Sequence, residues 1–264
     1  MKKILVLAMV GCSLLAKAQM KEGRIVYERT IQMPVRMFNN MDPDMAAKIP
    51  KSRTDQFELL FGNNQSLWQY LPNANNEDPG TFSSGGVVLR FQGGANEVNY
   101  ANFEKGVRVD QREVADRSFV VTDSIGKQSW KLTEETKTIL NYTVRKATSQ
   151  RISQRMKVSM ENGEMKRESV PDTAQVIAWF TTDIPVPAGP DFQGQLPGVI
   201  LELDVNKGQQ VYKAIEVSPK VNLNKIKEPK DGKKMTAAEF TKEREKIMEE
   251  MRRNMPSGNV IRMN

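Results

Sequence analysis

The sequence predicts a mostly β protein, built as a single curved antiparallel sheet or half-barrel and followed by one C-terminal α-helix. Short segments in which apolar and polar residues alternate recur along most of the chain. Clusters of Gly, Pro and Asn separate these segments, as turns between neighbouring strands require. One window near the C-terminus combines helical spacing with a helix start signal. We therefore assign residues 19–226 to one β domain and residues 227–264 to a linker and an amphipathic helix over about 236–255.

The first 18 residues have the composition of a secretory signal peptide. Two lysines precede an apolar run over 4–15 that is too short to span a bilayer stably, and Ala16-Lys17-Ala18 fits a small-x-small cleavage site. Cleavage there predicts an exported protein, periplasmic or associated with the outer membrane. Cys12 leaves an alternative, because the residues before it loosely resemble a lipoprotein cleavage box that would give Cys12 a lipid anchor.

The composition excludes several classes of activity. Without the signal peptide the chain carries 36 basic and 32 acidic residues, and this net charge of +4 is too small and too mixed in sign to indicate nucleic-acid binding. The sequence has no His, and its one Cys lies in the signal peptide. Ser-His-Asp or Cys-His catalysis and zinc binding by imidazole or thiolate are therefore excluded, and no cofactor is predicted. An exported chain without disulfides must be stabilised by its core.

The predicted strands follow one another at short spacing. In chain order they cover residues 23–32, 57–61, 66–71, 87–91, 98–103, 107–110, 118–122, 129–132, 138–146, 175–182, 199–205, 210–217 and an edge strand at 221–226. Asn162-Gly163 is the preferred two-residue turn of a β-hairpin, which predicts a hairpin over 155–170 with Met160 opposite Met165.

Two polar stretches rich in turn residues, 40–55 and 72–86, interrupt this pattern, and we predict a mobile loop over 72–86. Methionines recur every four residues at Met33, Met37, Met41 and Met45. This spacing favours a short helical or looped segment that packs flexible side chains on a core. Thioether coordination of Cu(I) is the alternative.

The C-terminal helix begins at a capping box. Thr236 and Glu239 are spaced so that each side chain accepts a hydrogen bond from a free backbone N–H of the first turn. The apolar residues of the predicted inner face are Phe240, Ile247, Met251 and Met255. We expect a helix of about 20 residues that packs lightly on the sheet or stands away from it, with docking to a partner or a membrane as the alternative.

The prolines between Ala178 and Asp204 organise the centre of the chain. Pro185, Pro187 and Pro190 forbid a regular β ladder, so the chain must leave the sheet there and cross over. Gly189-Pro190 and Pro197-Gly198 each favour a tight turn, and Gly198 is predicted to supply a positive φ. Phe192 and Leu196 would hold this crossover against the sheet, with Trp179 as their platform.

This proline-rich segment carries a family resemblance. The residues concerned are Trp179-Phe180, Ile184-Pro185, Gly189-Pro190, Phe192 and 196–202, with weaker similarity at 23–27, Trp130 and 141–147. They resemble the signature of the GLPGLI family of exported proteins from Bacteroidetes-type bacteria, over about 25–215 with gaps. The resemblance implies export and family membership but no established activity. Gln195 stands where the family usually has Gly, and Val144 stands where many members have Cys, so cysteine chemistry proposed for relatives does not apply here.

The candidate functional rim lies on this segment. It comprises Trp179, Asp183, Pro190, Asp191, Phe192, Leu196, Pro197 and Gly198. The first hypothesis is a non-enzymatic envelope protein, peripherally associated with the envelope, that binds an apolar or extended ligand on the concave face of the sheet. An apolar small molecule, a lipid or a peptide would fit this description.

Two alternatives remain open at this point. A carboxylate-based hydrolase, or a Ca²⁺ site, would draw on the four acidic residues Asp183, Asp191, Glu202 and Asp204. A structural interaction module would instead present a flat, exposed apolar patch. No catalytic residue and no metal ligand is assigned from the sequence.

Overall fold

The computed structural model describes residues 19–32, 50–72, 81–84, 87–90, 97–161 and 164–254. The strands are β1 (Gly23–Gln32), β2 (Ser52–Gly62), β3 (Gln65–Leu71), β4 (Thr81–Ser84), β5 (Val87–Arg90), β6 (Val98–Asn102), β7 (Val107–Val114), β8 (Arg117–Ser124), β9 (Lys131–Ile139), β10 (Tyr142–Glu161), β11 (Glu164–Thr181), β12 (Val199–Val205), β13 (Gln210–Ser218) and β14 (Lys233–Thr236). A 3₁₀ turn (Leu223–Lys225) and the helix α1 (Ala237–Asn254) complete the described elements.

Twelve of these strands form one open, curved sheet in the order β14-β8-β7-β6-β3-β2-β1-β13-β12-β11-β10-β9, and β4 pairs with β5 alone. Neighbouring strands of the sheet are antiparallel, except that β14 runs parallel to β8. The predicted fold class, a mostly β chain with one curved sheet and a C-terminal helix, is therefore confirmed. Within the described residues, no helix is long and apolar enough to span a membrane.

The two faces of the sheet bury different clusters, because successive side chains of a strand point to opposite faces. The front face, defined by Ile25, Tyr27, Phe57 and Leu59, carries the main core. The back face carries a smaller cluster, Leu60, Leu67, Tyr100, Val109 and Val120, which is covered by Ile226 and Leu223 of the segment after β13. Both faces of the central strands are thus shielded from water.

The helix α1 packs against one end of the sheet. Its Phe240 and Ile247 are buried with Phe119 of β8, and Met251 on the predicted inner face is 38% exposed. The capping box is confirmed: the Glu239 backbone N donates to Thr236 Oγ1 at 3.3 Å, and the Thr236 backbone N donates to Glu239 Oε2 at 2.8 Å. Met255 lies outside the described residues.

One predicted strand is two strands. The alternation over 138–146 continues through Leu140 and Asn141, but these residues have φ of 47° and 67° and form a tight turn that places Ile139 opposite Tyr142. The preceding strand accordingly starts at Lys131 and runs to this turn, rather than over 129–132. A two-residue turn with both φ positive matches the twist of a hairpin, so the pairing of β9 with β10 overrides the local pattern.

Other corrections concern segments that lie near the back face or near turns. The predicted edge strand at 221–226 is wrong, because Asn222 caps a 3₁₀ turn by accepting from the Asn224 backbone N at 3.1 Å. The linker before α1 contains β14. Part of the loop predicted at 72–86 is β4.

The hairpin centred on 162–163 is longer than predicted, since β10 and β11 run continuously through the segments that the sequence divides. Its register, with Met160 opposite Met165, is confirmed. The turn residues Asn162 and Gly163 themselves and the methionines at 33, 37, 41 and 45 lie outside the described residues.

Glu58 on the back face gives a testable pH dependence. Burial alone would raise the pKa of its carboxyl, but hydrogen bonds from Arg24 Nε and Gln69 Nε2, both 2.7 Å, outweigh burial and lower the pKa below its usual value. A lowered pKa in the folded state means that Glu58 stabilises the protein above its unfolded-state pKa of 4.5 and that this stability is lost as the pH falls further. Glu58→Gln is therefore expected to reduce the free energy of unfolding by roughly 1 kcal/mol at neutral pH and by progressively less in acid.

Urea unfolding of the wild type and Glu58→Gln between pH 3 and pH 7 measures this difference. Glu104→Gln, at an exposed position, is the control and should follow the wild type. A Glu58→Gln deficit that stayed constant over the whole pH range would contradict the assignment.

Candidate binding site

The segment 182–198 leaves the sheet between β11 and β12 and lies against the front face. Its apolar side chains are buried in the main core: Ile184, Val186, Ala188, Phe192 and Leu196. Backbone hydrogen bonds hold it to the start of β12, with Ile200 N donating to Ala188 O at 2.9 Å. Because β11 and β12 are direct neighbours, the segment is a long excursion between adjacent strands, and it fills the centre of the front face with the chain's own side chains.

Gly198 ends this excursion and lies in close contact with the backbone of Thr181. The predicted positive φ at Gly198 is wrong; the left-handed residues of the segment include Asp191, with φ of 58°, and Gly194, with φ of 78°. A Cβ atom at position 198 would lie 2.0 Å from the Thr181 carbonyl oxygen. Position 198 therefore needs glycine because the backbone of β11 passes directly beside it.

Asp191 and Phe192 form the charged and aromatic tip of the segment. Arg151 of β10 contacts both residues: its Nη2 lies 2.7 Å from Asp191 Oδ2, and its guanidinium lies 5.1 Å from the Phe192 ring centroid. Tyr212 Oη donates to Asp191 Oδ1 at 3.4 Å. The Phe192 ring packs edge-on against Trp130, with centroids 5.2 Å apart. These contacts join the tip to β10, to β13 and to the chain before β9.

Burial and the Asp191 carboxylate raise the pKa of the Tyr212 hydroxyl well above its usual range. Tyr212 therefore stays neutral and keeps the proton that it donates to Asp191. Gln210 Nε2 donates to the Tyr212 oxygen at 2.6 Å and fixes its position. The Tyr212 hydroxyl consequently remains a hydrogen-bond donor to the tip at neutral pH.

Trp130 is an aromatic platform for the segment, and Trp179 also packs against the main core. Trp130 Nε1 donates to Gln195 Oε1 at 3.2 Å, so a polar side chain of the segment has a specific partner on Trp130. Trp179 alternates with buried neighbours and is half-buried. Its ring also contacts Lys137 and Lys146, whose Nζ atoms lie 4.3 and 5.9 Å from the centroid.

The structure therefore places only some of the predicted rim residues together. Asp191 and Phe192 lie together with Arg151 and Trp130, while Pro190 and Leu196 are buried in the same segment. The other four predicted residues lie apart from the tip: Trp179 beside the two lysines, Asp183 beside a separate cavity of about 790 Å³, Pro197 exposed and Gly198 buried.

The four acidic candidates are not gathered into one centre. Asp191 pairs with Arg151, Glu202 Oε1 lies 2.8 Å from Lys137 Nζ, and Asp204 Oδ1 accepts from the Gly208 backbone N at 2.6 Å. Asp183 is exposed near the cavity already described. Across the described parts of the chain, no group of three or more acidic, His or Cys side chains is placed to hold a metal ion.

A cavity of about 680 Å³ lies beside Trp130, next to the tip of the segment. It is lined by two lysines, Lys127 and Lys131, and by amide, hydroxyl and apolar side chains, among them Gln128, Ser129, Trp130, Ser149, Gln150 and Ile152. Gln128 Nε2 donates to Ser149 Oγ at 2.9 Å and to Gln150 O at 2.7 Å. Ile152 leaves 71% of its surface exposed. Sequence reasoning missed this site, because its parts are brought together only by the pairing of β10 with the chain before β9.

Comparisons with known proteins agree with the fold and leave the activity open. A family model described as "Protein of unknown function (Porph_ging)" matches residues 130–202, which include Trp130 and the whole of the segment. None of the curated proteins matches this sequence.

Two solved structures are similar to this chain, described as PNGF-II in the C2 and in the P21 space group. Each has a TM-score of 0.51 and 18% sequence identity, over 86% of this chain and 33% or 34% of the other. This chain thus spans about a third of the length of the solved chains that it matches, and the likeness shows the fold alone.

Proposed function

We propose that this protein is a non-enzymatic, exported binding protein of the cell envelope, of the GLPGLI type, that holds an extended peptide in the cavity beside Trp130. One observation carries the proposal. Ile152 exposes 71% of its surface at the border of a cavity of about 680 Å³ that Trp130 also lines. An exposed apolar side chain at the border of a cavity with polar groups gives a bound partner apolar contact and hydrogen-bond partners in one place. Export rests on the signal peptide predicted over residues 1–18.

The lining chemistry favours a peptide. Gln128, Ser129 and Gln150 offer neutral donors and acceptors, which match the amide groups of an extended backbone. Trp130 and Ile152 offer apolar contact to alternate side chains of such a ligand. A purely apolar ligand has less support, because the centre of the front face is occupied by Ile184 and its neighbours in the segment 182–198.

An array of immobilised 12-residue peptides of varied, proline-free sequence tests the proposal. We expect the wild-type protein to bind a subset of the array and Ile152→Asp to bind that subset at least tenfold more weakly. Ile215→Asp is the matched control, because Ile215 is also an exposed isoleucine of the sheet, 44% exposed on β13, away from the cavity lining. Circular dichroism checks that both variants fold. Absence of binding by the wild type, or equal binding by Ile152→Asp, would overturn the proposal.

A further inference from the structure

The hairpin of β10 and β11 extends beyond the strands that flank it. Its Cα pairing runs from Arg145 opposite Phe180 to Glu161 opposite Glu164. β9 pairs with β10 only as far as Thr148, and β12 pairs with β11 only from Val176 onward. Beyond these points the described strands leave a two-stranded arm, and two-stranded hairpins are marginally stable alone in water. The arm therefore has two edges that another strand could join.

The direction of the backbone groups on the arm follows from two hydrogen bonds. Gln150 O accepts from the Gln128 side chain, so the backbone groups of Gln150 face away from β11. Gln175 lies opposite Gln150, and its backbone C=O accepts from Asn206 N at 2.7 Å, so the backbone groups of Gln175 face away from β10. Because these directions alternate along an antiparallel strand, the N–H and C=O groups of Ile152 and every second residue up to Met160 face the outer edge of β10.

The two edges of the arm differ in their capacity to accept a strand. By the same alternation, the backbone groups of Thr173 and Pro171 face the outer edge of β11. Pro171 has no backbone N–H, and proline at such a position disfavours pairing of that edge with another strand. β10 contains no proline between Tyr142 and Glu161, so every backbone N–H on its outer edge is able to donate a hydrogen bond. The outer edge of β10 is therefore the edge that is able to add a strand.

Charge indicates the kind of strand that fits there. β10 contains five basic residues and one acidic residue. Where β9 pairs with β10, acidic residues of β9 form ion pairs with basic residues of β10. Glu134 Oε1 lies 2.6 Å from Arg145 Nη2, and Glu135 Oε2 lies 2.9 Å from Lys146 Nζ. Three further basic residues of β10 lie in the part of the strand beyond β9, and of these Arg151 already pairs with Asp191. A second copy of β10 would bring more positive charge to them, and like charges on opposite strands are destabilising.

We infer that an extended, acidic segment of a partner protein adds as a strand to the outer edge of β10 over residues 152–160, continuing from the cavity beside Trp130. The inference rests on the proposed function and names the class of its ligand: an acidic peptide bound through its backbone. Backbone pairing supplies the binding energy, and acidic side chains select the partner, as in other cases of strand addition.

Two proline variants test the edge. Gln154→Pro removes an N–H from the outer edge of β10, and Thr173→Pro removes one from the outer edge of β11. Neither change removes a hydrogen bond between the two strands, and the native Pro171 lies opposite Gln154, so both variants should fold. The probes are two fluorescent 12-residue peptides of alternating Glu and Thr, or Lys and Thr, measured by anisotropy at low and high salt and by hydrogen exchange.

We expect the Glu peptide to bind, to weaken with salt and to protect alternate amides of β10 from exchange. Gln154→Pro should weaken this binding at least tenfold and Thr173→Pro should leave it unchanged. Equal binding of the Lys peptide, or no difference between the two variants, would overturn the inference while peptide binding in the cavity stands. If neither probe binds the wild type while the peptide array does, the inference fails and the proposed function stands; if the array binds nothing either, the proposed function itself fails. Protection of β10 by self-association without peptide would assign the edge to a second copy.

Discussion

Replacing Gly198 by Ala is expected to destabilise the protein by about 3 kcal/mol or more, a large fraction of the stability of a typical domain. The new Cβ would lie 2.0 Å from the Thr181 carbonyl oxygen, which belongs to the backbone and cannot rotate away as a side chain does. Thr181 pairs with Val199 at the first rung of the ladder between β11 and β12. Relief of the clash therefore requires this rung to open and the segment 182–198 to shift on the front face.

Urea denaturation followed by circular dichroism measures the effect. Gly126→Ala is the matched control, because a Cβ at position 126 would meet nothing within 4 Å, and this variant should unfold as the wild type does. A Gly198→Ala protein with wild-type stability would show that β11 and the end of the segment do not approach each other in this way.

Local sequence pattern predicts a strand well where one face of it is buried. Residues 23–32 and 199–205 are strands with the predicted bounds, and Ile25 and Tyr27 alternate into the core as their spacing requires. The pattern fails at Leu140, because nothing in a leucine side chain favours a positive φ and the alternation continues through it. There the turn is imposed by the pairing of β9 with β10, which is a property of the fold and not of the local sequence.

The candidate site was harder to predict than the fold for a related reason. Proline positions predict correctly that the chain leaves the sheet after β11, but they do not say which surface it then covers. Trp130 and Phe192 meet across 62 residues of sequence. Alternation assigns a side chain to a face of its strand, but it does not say which strands are neighbours. The contacts that build the cavity beside Trp130 depend on strand order, so they become visible only in the folded chain.

Replacing Asp55 by Ala is expected to cost about 3–5 kcal/mol, because it leaves a buried guanidinium without its carboxylate partner. The Asp55 side chain is fully buried, and its Oδ2 lies 2.9 Å from Arg29 Nη2. Arg29 is itself only 9% exposed, and its guanidinium lies 4.5 Å from the Phe57 ring centroid. Little water can reach this charge to replace the lost carboxylate.

Two further variants separate the loss of charge from the loss of packing. Asp55→Asn keeps the size of the side chain and one acceptor oxygen, so its free energy of unfolding should lie between those of the wild type and Asp55→Ala. The double variant Arg29→Met, Asp55→Ala removes the orphaned charge and should recover much of the loss, because a buried ion pair is often replaceable by apolar side chains while half of a pair is not. Equilibrium unfolding in urea ranks the variants. A double variant no more stable than Asp55→Ala would mean that Asp55 stabilises the sheet through its contact with Arg53, at 2.6 Å, and not by neutralising Arg29.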